Sequence, residues 1–350
     1  MDADPPSSTP PAQDTPLTGG PQPAGGSMIH YILFGPEGLR AGSGITLFLA
    51  IYYAMARCLQ PVRQFVLHAQ PIHGDLLSAR QVFCLEVAGI VAVVTATWLM
   101  SRLERRRVTA YGLARGNRVR YFFGGLMWGL ALLSLLVFLL RACGLLVFDA
   151  RLLTGAAAVR YGLMWLAGFL LVSVREELFS RGYLQYTLTR GLRSIFAWIF
   201  GPLHANALGF WIAAATLSYL FGFGHSSNPD ESPLGLLAAG LAGFLFCLSL
   251  WRTGSLWWAI GFHASWDWAQ SFLYGVPDSG LMARGHLFAT HAMGRPWLSG
   301  GVTGPEGSIL FLPVALAGAG VVLLSLPRTH NGYISVACEE PPEGQASVLP

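Results

Sequence analysis

Lysine is absent from this chain of 350 residues, and charge of either sign is scarce. Asp, Glu, Lys and Arg make up 11% of the sequence, against roughly 25% in an ordinary soluble domain. That shortage argues against a soluble enzyme. The all-arginine basic set fits a GC-rich bacterial genome, so the net charge of +4 carries no nucleic-acid reading. Cysteine is sparse as well. Cys58, Cys84, Cys143, Cys247 and Cys338 show no CxxC or paired spacing, which leaves no basis for a disulfide framework or a thiolate metal site. Strand-like alternation is missing too. What the sequence has in plenty is apolar surface: 53% hydrophobic residues and a mean hydropathy of +0.50. A disordered chain is excluded, and one polytopic membrane domain is expected.

The organisation follows from composition. Residues 1–27 are rich in Pro, Ser, Thr, Gly and Asp, lack a basic and then apolar leader pattern, and read as a disordered N-terminal tail. Met28 opens the apolar part and is a candidate true start. Residues 328–350 read as a disordered C-terminal tail. Between them lie eight apolar segments, near 44–59, 83–101, 121–142, 162–188, 207–225, 233–251, 254–274 and 308–326. Most approach the ~20 residues that a helix needs to cross ~30 Å of hydrocarbon. Lipid leaves no backbone group unpaired, so the expected fold is all-α, a polytopic membrane helix bundle of about eight transmembrane helices. Residues 28–150 would hold the first helices, 151–275 a catalytic core, and 276–327 an external loop with the last helix. Residues 195–204, with Trp198 at a flank and Pro202 as a breaker, read as an interfacial or re-entrant piece. Seven arginines (Arg102, Arg105, Arg106, Arg107, Arg115, Arg118 and Arg120) mark one short loop as cytoplasmic. Counting from that loop puts both termini in the cytoplasm, with the protein in a bacterial inner membrane. Gly125 and Gly129 form a GxxxG pattern that permits close helix contact.

Several residues sit where hydrocarbon rejects them: Arg175, Glu176, Glu177 and Arg181, then His225, then His263 and Asp267. Each such charge costs roughly 2.5–3.5 kcal/mol at mid-membrane, so these groups must pair or line a wet cavity, and by default they mark a functional site. Glu177 and Arg181 are spaced i,i+4 and can pair on one helical face. Phe221 and His225, and His263 and Asp267, repeat that spacing. Taken singly, each has a plainer reading: a structural ion pair, a packed histidine, an aromatic-belt helix end. Glu86 and Glu104 read as helix-end or cavity residues without a role, and His204 and Asn206 as turn residues.

Together the motifs resemble a known family. Glu176-Glu177-Leu178-Phe179-Ser180-Arg181 matches the EExxxR motif of the CPBP family of intramembrane proteases, the CAAX-processing and bacteriocin-processing proteins also called Abi proteins. Phe221-Gly222-Phe223-Gly224-His225 matches its FxxxH motif, and His263-Ala264-Ser265-Trp266-Asp267 its HxxxN/D motif, with Asp267 where many members carry Asn. The resemblance covers roughly residues 160–275. It implies an intramembrane endopeptidase with Glu176 as the base that activates water, and with His225 orienting that water or sharing its proton. His263 and Asp267 would serve the oxyanion, and Arg181 would hold Glu177. For these three elements to meet, the fourth segment must run through 162–188 with Glu176 near mid-depth, and the fifth must extend past His225. Their polar groups should then surround one cavity, open to the cytoplasm or laterally to lipid.

The metal question stays open on sequence alone. Glu176, His225 and His263 are candidate ligands for a divalent metal such as zinc, but the zincin H-E-x-x-H helix is absent, and a metal-free glutamate mechanism is slightly favoured. The implied partners are a membrane-tethered protein or peptide substrate and the lipid bilayer, without nucleic acid. A proton-coupled transporter and a non-proteolytic scaffold or immunity protein are the rival classes. No internal repeat supports the transporter.

Overall fold

The computed structural model describes residues 28–35, 38–69, 76–113 and 116–327. The tails read as disordered, 1–27 and 328–350, lie outside the described residues. All eight apolar segments are helical. We label the helices α1 (Ala41–Cys58), α2 (Gln60–Ala69), α3 (Ala79–Leu103), α4 (Arg118–Ala142), α5 (Gly155–Glu177), α6 (Gln185–Phe200), α7 (Pro202–Gly224), α8 (Pro233–Thr253), α9 (Trp257–Trp268) and α10 (Phe311–Ser325). Six helical stretches among the described residues are long and apolar enough to cross a membrane. They are α1, α3, α4, the continuous rod Gly155–Phe200, the α7 stretch and α8. The seventh and eighth segments give shorter helices. Gly254, left-handed at φ 66°, ends α8, so α9 starts only at Trp257; it runs 12 residues before a π-helical turn, Ala269–Leu273, continues it. The helix α10 has 15 residues, about 22 Å of rise.

Local chemistry sets several of these boundaries. Ser78 caps α3 through a reciprocal box with Gln81, and the Ser232 hydroxyl accepts from Gly235 N at the start of α8. The expected interfacial piece at 195–204 is instead the end of the rod and the start of α7. Nothing between Gln185 and Phe200 stops a helix. The chain breaks only at Gly201 (φ 80°, ψ 162°), and Pro202 then opens α7. The rod holds 46 residues, about 69 Å at 1.5 Å each. That is more than twice the hydrocarbon thickness, so Glu176 falls near its middle, not at an end. A π-helical turn, Leu178–Leu184, interrupts it directly after the paired glutamates.

The tightest helix crossing is built from glycine. A Cβ on Gly125 would collide with the Trp258 carbonyl, one on Gly129 with the Phe262 carbonyl, and one on Gly261 with the Phe122 carbonyl. The GxxxG pattern of α4 therefore serves contact with α9 of the same chain, and it fixes the depth at which His263 sits. Connecting segments carry short strands. Leu146–Arg151 (β1) pairs antiparallel with Phe288–Ala292 (β2), with an irregularity between Phe148 and Ala150. Residues 276–310 are ordered against the end of α7: Thr303 Oγ1 donates to the Asp230 carbonyl at 2.8 Å, and Gly280 N donates to the Thr303 carbonyl at 3.0 Å.

Candidate active site

The last turn of α5 carries Arg175, Glu176 and Glu177, about 100° apart around the helix, and the three point to different partners. Glu177 is fully buried. Its Oε1 receives Arg181 Nη1 at 2.9 Å and His263 Nδ1 at 3.1 Å. Arg181, 1% exposed, lays its guanidinium over the Phe221 ring at 4.1 Å and over Phe246 at 5.5 Å. Among the described residues its Nε and Nη2 find no hydrogen-bond partner, and the guanidinium meets aromatic faces instead. The Glu177–Arg181 pair thus ties the three motifs together, because its anion holds His263 of the third and its cation holds Phe221 of the second. It also explains why the second motif begins with an aromatic residue.

Glu176 faces the other way, into a cavity of about 690 Å³ that His225, His263, Asp267, Asp278 and Glu306 also line. Glu177 and Arg181 lie behind that wall. Glu176 Oε1 accepts from Arg175 Nη2 at 2.9 Å, and Oε2 lies 3.9 Å from His263 Nε2. His263 Nε2 is also 3.4 Å from Asp267 Oδ2, one turn away on the same helix. The imidazole therefore stands among three carboxylates, and it stacks on Phe246 at 5.4 Å. His225 Nδ1 donates to the Phe221 carbonyl at 2.8 Å, which leaves Nε2 as the nitrogen available to the cavity. The helical stretch His204–Ser227 continues past His225, as convergence requires.

Much of the remaining wall is apolar, with Leu132, Leu245, Phe246, Phe311 and Val314 among its residues, while Glu86 and Arg175 also reach it. Tyr53 and Leu220 line it while remaining 59% and 51% exposed, so the cavity reaches the outer face of the bundle between α1 and α7. Its polar end meets residues 276–310, not the arginine-rich loop at 102–120.

Sequence reasoning passed over two parts of this site. From sequence, Arg175 reads only as a misplaced charge and Glu86 as a residue without a role. In the structure Arg175 bridges Glu86 on α3 and Glu176. The signal was present, since a lone acid in the apolar run 83–101 requires a partner of opposite charge. Asp278 and Glu306 lacked any such signal, because a loop has no periodicity that aims a side chain. Glu306 Oε1 accepts from Ser279 N at 2.5 Å, Ser279 Oγ at 2.9 Å and Gln270 Nε2 at 3.2 Å. Burial, with Asp267 and Glu306 nearby, holds the Asp278 carboxyl well above the usual range. Burial and then Glu306 push Glu231, in the turn before α8, up to about 7.

A metal site finds no support in the arrangement of the donors. Among the described residues no group of three or more His, Cys, Asp or Glu side chains could hold a metal ion. Of the candidates Glu176, His225 and His263, the first spends Oε1 on Arg175 and the third spends Nδ1 on Glu177. The zinc alternative gains no support among the described residues, and no chemical step below runs through a metal.

Neither the curated proteins nor the solved structures contain a match to this chain. A family model does match, that of the type II CAAX prenyl endopeptidase Rce1-like proteins, over residues 158–269. Those residues hold all three motifs, so the likeness to CPBP intramembrane proteases stands on this family model as well as on the motif residues.

Proposed function

We propose that the protein is an intramembrane endopeptidase that hydrolyses a peptide bond in a membrane-associated protein or peptide, with residues 151–275 as its catalytic core. The observation that carries this reading is the single cavity shared by Glu176, His225 and His263, with Glu176 Oε2 turned toward His263. A water between Glu176 Oε2 and His225 Nε2 gives its proton to Glu176 as its oxygen attacks the scissile carbonyl. His263 already donates through Nδ1, so it can offer Nε2–H to the oxyanion only as the imidazolium, and the surrounding carboxylates offset that charge. Glu176 then passes the proton to the leaving amine as the C–N bond breaks. Arg175 supplies a cation beside a base that must remain a carboxylate until water is bound. Asp267 orients His263, while Glu177 and Arg181 act as positioning residues behind the wall.

Substrate access fits a lateral route. The opening between α1 and α7 faces lipid, and the apolar flank suits a membrane-tethered tail. The arginine bias supports cytoplasmic termini and a bacterial inner membrane; residues 276–310 would then lie outside. Glu176→Gln is nearly isosteric and should abolish cleavage of a fluorogenic, farnesylated CAAX peptide, or of peptides trapped on Glu176→Ala and identified by mass spectrometry. Expression and helix content should stay at wild-type levels. Loss of a general base removes on the order of 10²–10⁴ in rate. Retention of more than about a tenth of the activity would exclude Glu176 as that base and favour a scaffold or a proton-coupled transporter.

A further inference from the structure

One guanidinium is shared by two acids at the cavity wall, and only Glu176 has been given a role. From α3, Glu86 takes Arg175 with both oxygens: Nε binds Oε2, and Nη2 binds Oε1 at 3.2 Å. The same Nη2 reaches Glu176 Oε1 at 2.9 Å. Gly89, one turn along α3, makes room for the arginine stem; a Cβ there would run into Arg175 Cδ. Helix α3 therefore seats Arg175 twice, its stem at Gly89 and its head at Glu86. Behind the pair lies a second cavity of about 220 Å³, lined by Tyr52, Ala56, Leu59 and Arg63. Close packing is thus missing on that side, and a long arginine held by one hydrogen bond to Glu176 would have free rotamers facing the void. A planar guanidinium gripped on two edges does not.

We propose that Glu86 is a positioning residue for Glu176. By fixing Arg175 it holds Glu176 Oε1 in place and keeps Oε2 turned toward His263 and the attacking water. This rests on the general-base reading of Glu176. It extends the working site to a helix outside the region that the family model matches.

The test compares Glu86→Gln, which removes the charge, with Gly89→Ala, which keeps every charge and displaces the arginine stem. Val94→Ala on the exposed face of α3 serves as control. With the farnesylated fluorogenic peptide, both test variants should lower kcat on the order of 10–100-fold, the effect of misplacing a reacting group by about 1 Å. KM should stay within about twofold, and the control should match wild type. A second readout needs no turnover. Carbodiimide labelling of Glu176, followed by mass spectrometry, should be several-fold faster in both variants, because Glu176 spends time without its cation. Wild-type kcat in both variants, or a raised KM alone, would overturn the proposal, as would unchanged labelling. A wild-type protein that cuts no offered peptide would instead count against the protease reading, and the labelling would still decide the role of Glu86.

Discussion

Removing the charge of Glu177 should unfold what removing the charge of Glu176 leaves standing. Both are glutamates on the same helical turn, but their surroundings differ. The Glu176 side chain is 19% exposed at the cavity wall, and its partner Arg175 keeps Glu86 when Glu176 is neutralised. Glu177 and Arg181 have side-chain exposures of 0% and 1%. Glu177→Gln leaves the Arg181 cation buried, with only the faces of Phe221 and Phe246 to offset it. Breaking a buried pair from one side costs about 3–5 kcal/mol, which for a domain of this size lowers Tm by roughly 5–15 °C. Unfolding in lipid nanodiscs, followed by intrinsic tryptophan fluorescence, would read this directly, with Glu176→Gln as the comparison. The double variant Glu177→Gln/Arg181→Met should recover most of the lost stability, since apolar replacement of a buried pair is often neutral. It should not recover activity, because His263 Nδ1 has lost its carboxylate partner. A Glu177→Gln protein with wild-type Tm would refute the hub. So would a double variant that hydrolyses peptide at the wild-type rate, since His263 would then not depend on Glu177.

Three further outcomes follow from separate features. Gly129→Leu would drive a side chain into the Phe262 carbonyl; it should shift α9 and lower both Tm and kcat, whereas Leu135→Ala on the exposed face of α4 should do neither. Folding disfavours the charged form of Glu231, whose carboxyl titrates near 7 in the folded state against about 4.3 unfolded. The docking of residues 276–310 is therefore most secure below about pH 4.3 and weakens as pH rises through 7. Protection from hydrogen exchange across that segment, taken relative to the intrinsic base-catalysed rate at each pH, should be lower at pH 8 than at pH 6, and Glu231→Gln should flatten the difference; equal protection at both values would contradict this. In a cysteine-free background, cysteines at Arg106 and Arg115 should be protected from an impermeant thiol reagent in intact cells while Ser279 and Gly300 label. The reverse pattern would invert the topology.

What the sequence made legible divides along a physical line. Eight apolar runs announced eight helices, because lipid demands internal hydrogen bonding and length sets the span. The three motifs announced the Glu177–Arg181 pair and the meeting of Glu176, His225 and His263, because fourth-residue spacing fixes a helical face before any tertiary contact exists. Length is less legible where a run continues through a turn: the seventh segment reads as a full span, but Gly254 ends one helix, the next starts at Trp257, and a π turn takes over after Trp268. At 195–204 no separate element forms, since nothing there interrupts α6 before Gly201, and the exposed Trp198 stays on its surface.

The remaining features depend on helix-to-helix geometry, which no local pattern encodes. Glu86 and Arg175 lie 89 positions apart, and only the packing of α3 on α5 makes them one unit. The π-helical turns are of the same kind. One follows Glu177 and contains Arg181; the other, Ala269–Leu273, follows Asp267. A π turn adds a residue to the helical circuit and weakens its hydrogen bonding, so it persists only where surrounding contacts compensate, and it is frequent at functional sites. Here both turns begin within two residues of a motif carboxylate. Each lets its helix leave the motif on a heading that an α-helix of the same sequence would not take. In the first, Tyr183 is carried to Glu104, its hydroxyl donating at 2.9 Å. In the second, Gln270 is carried to Glu306 at 3.2 Å. The turns thus anchor the two motif-bearing helices to the loop at 104–111 on one side and to the 276–310 segment on the other. Anchoring at both ends is what would hold the proposed base, water and imidazole in register at one cavity.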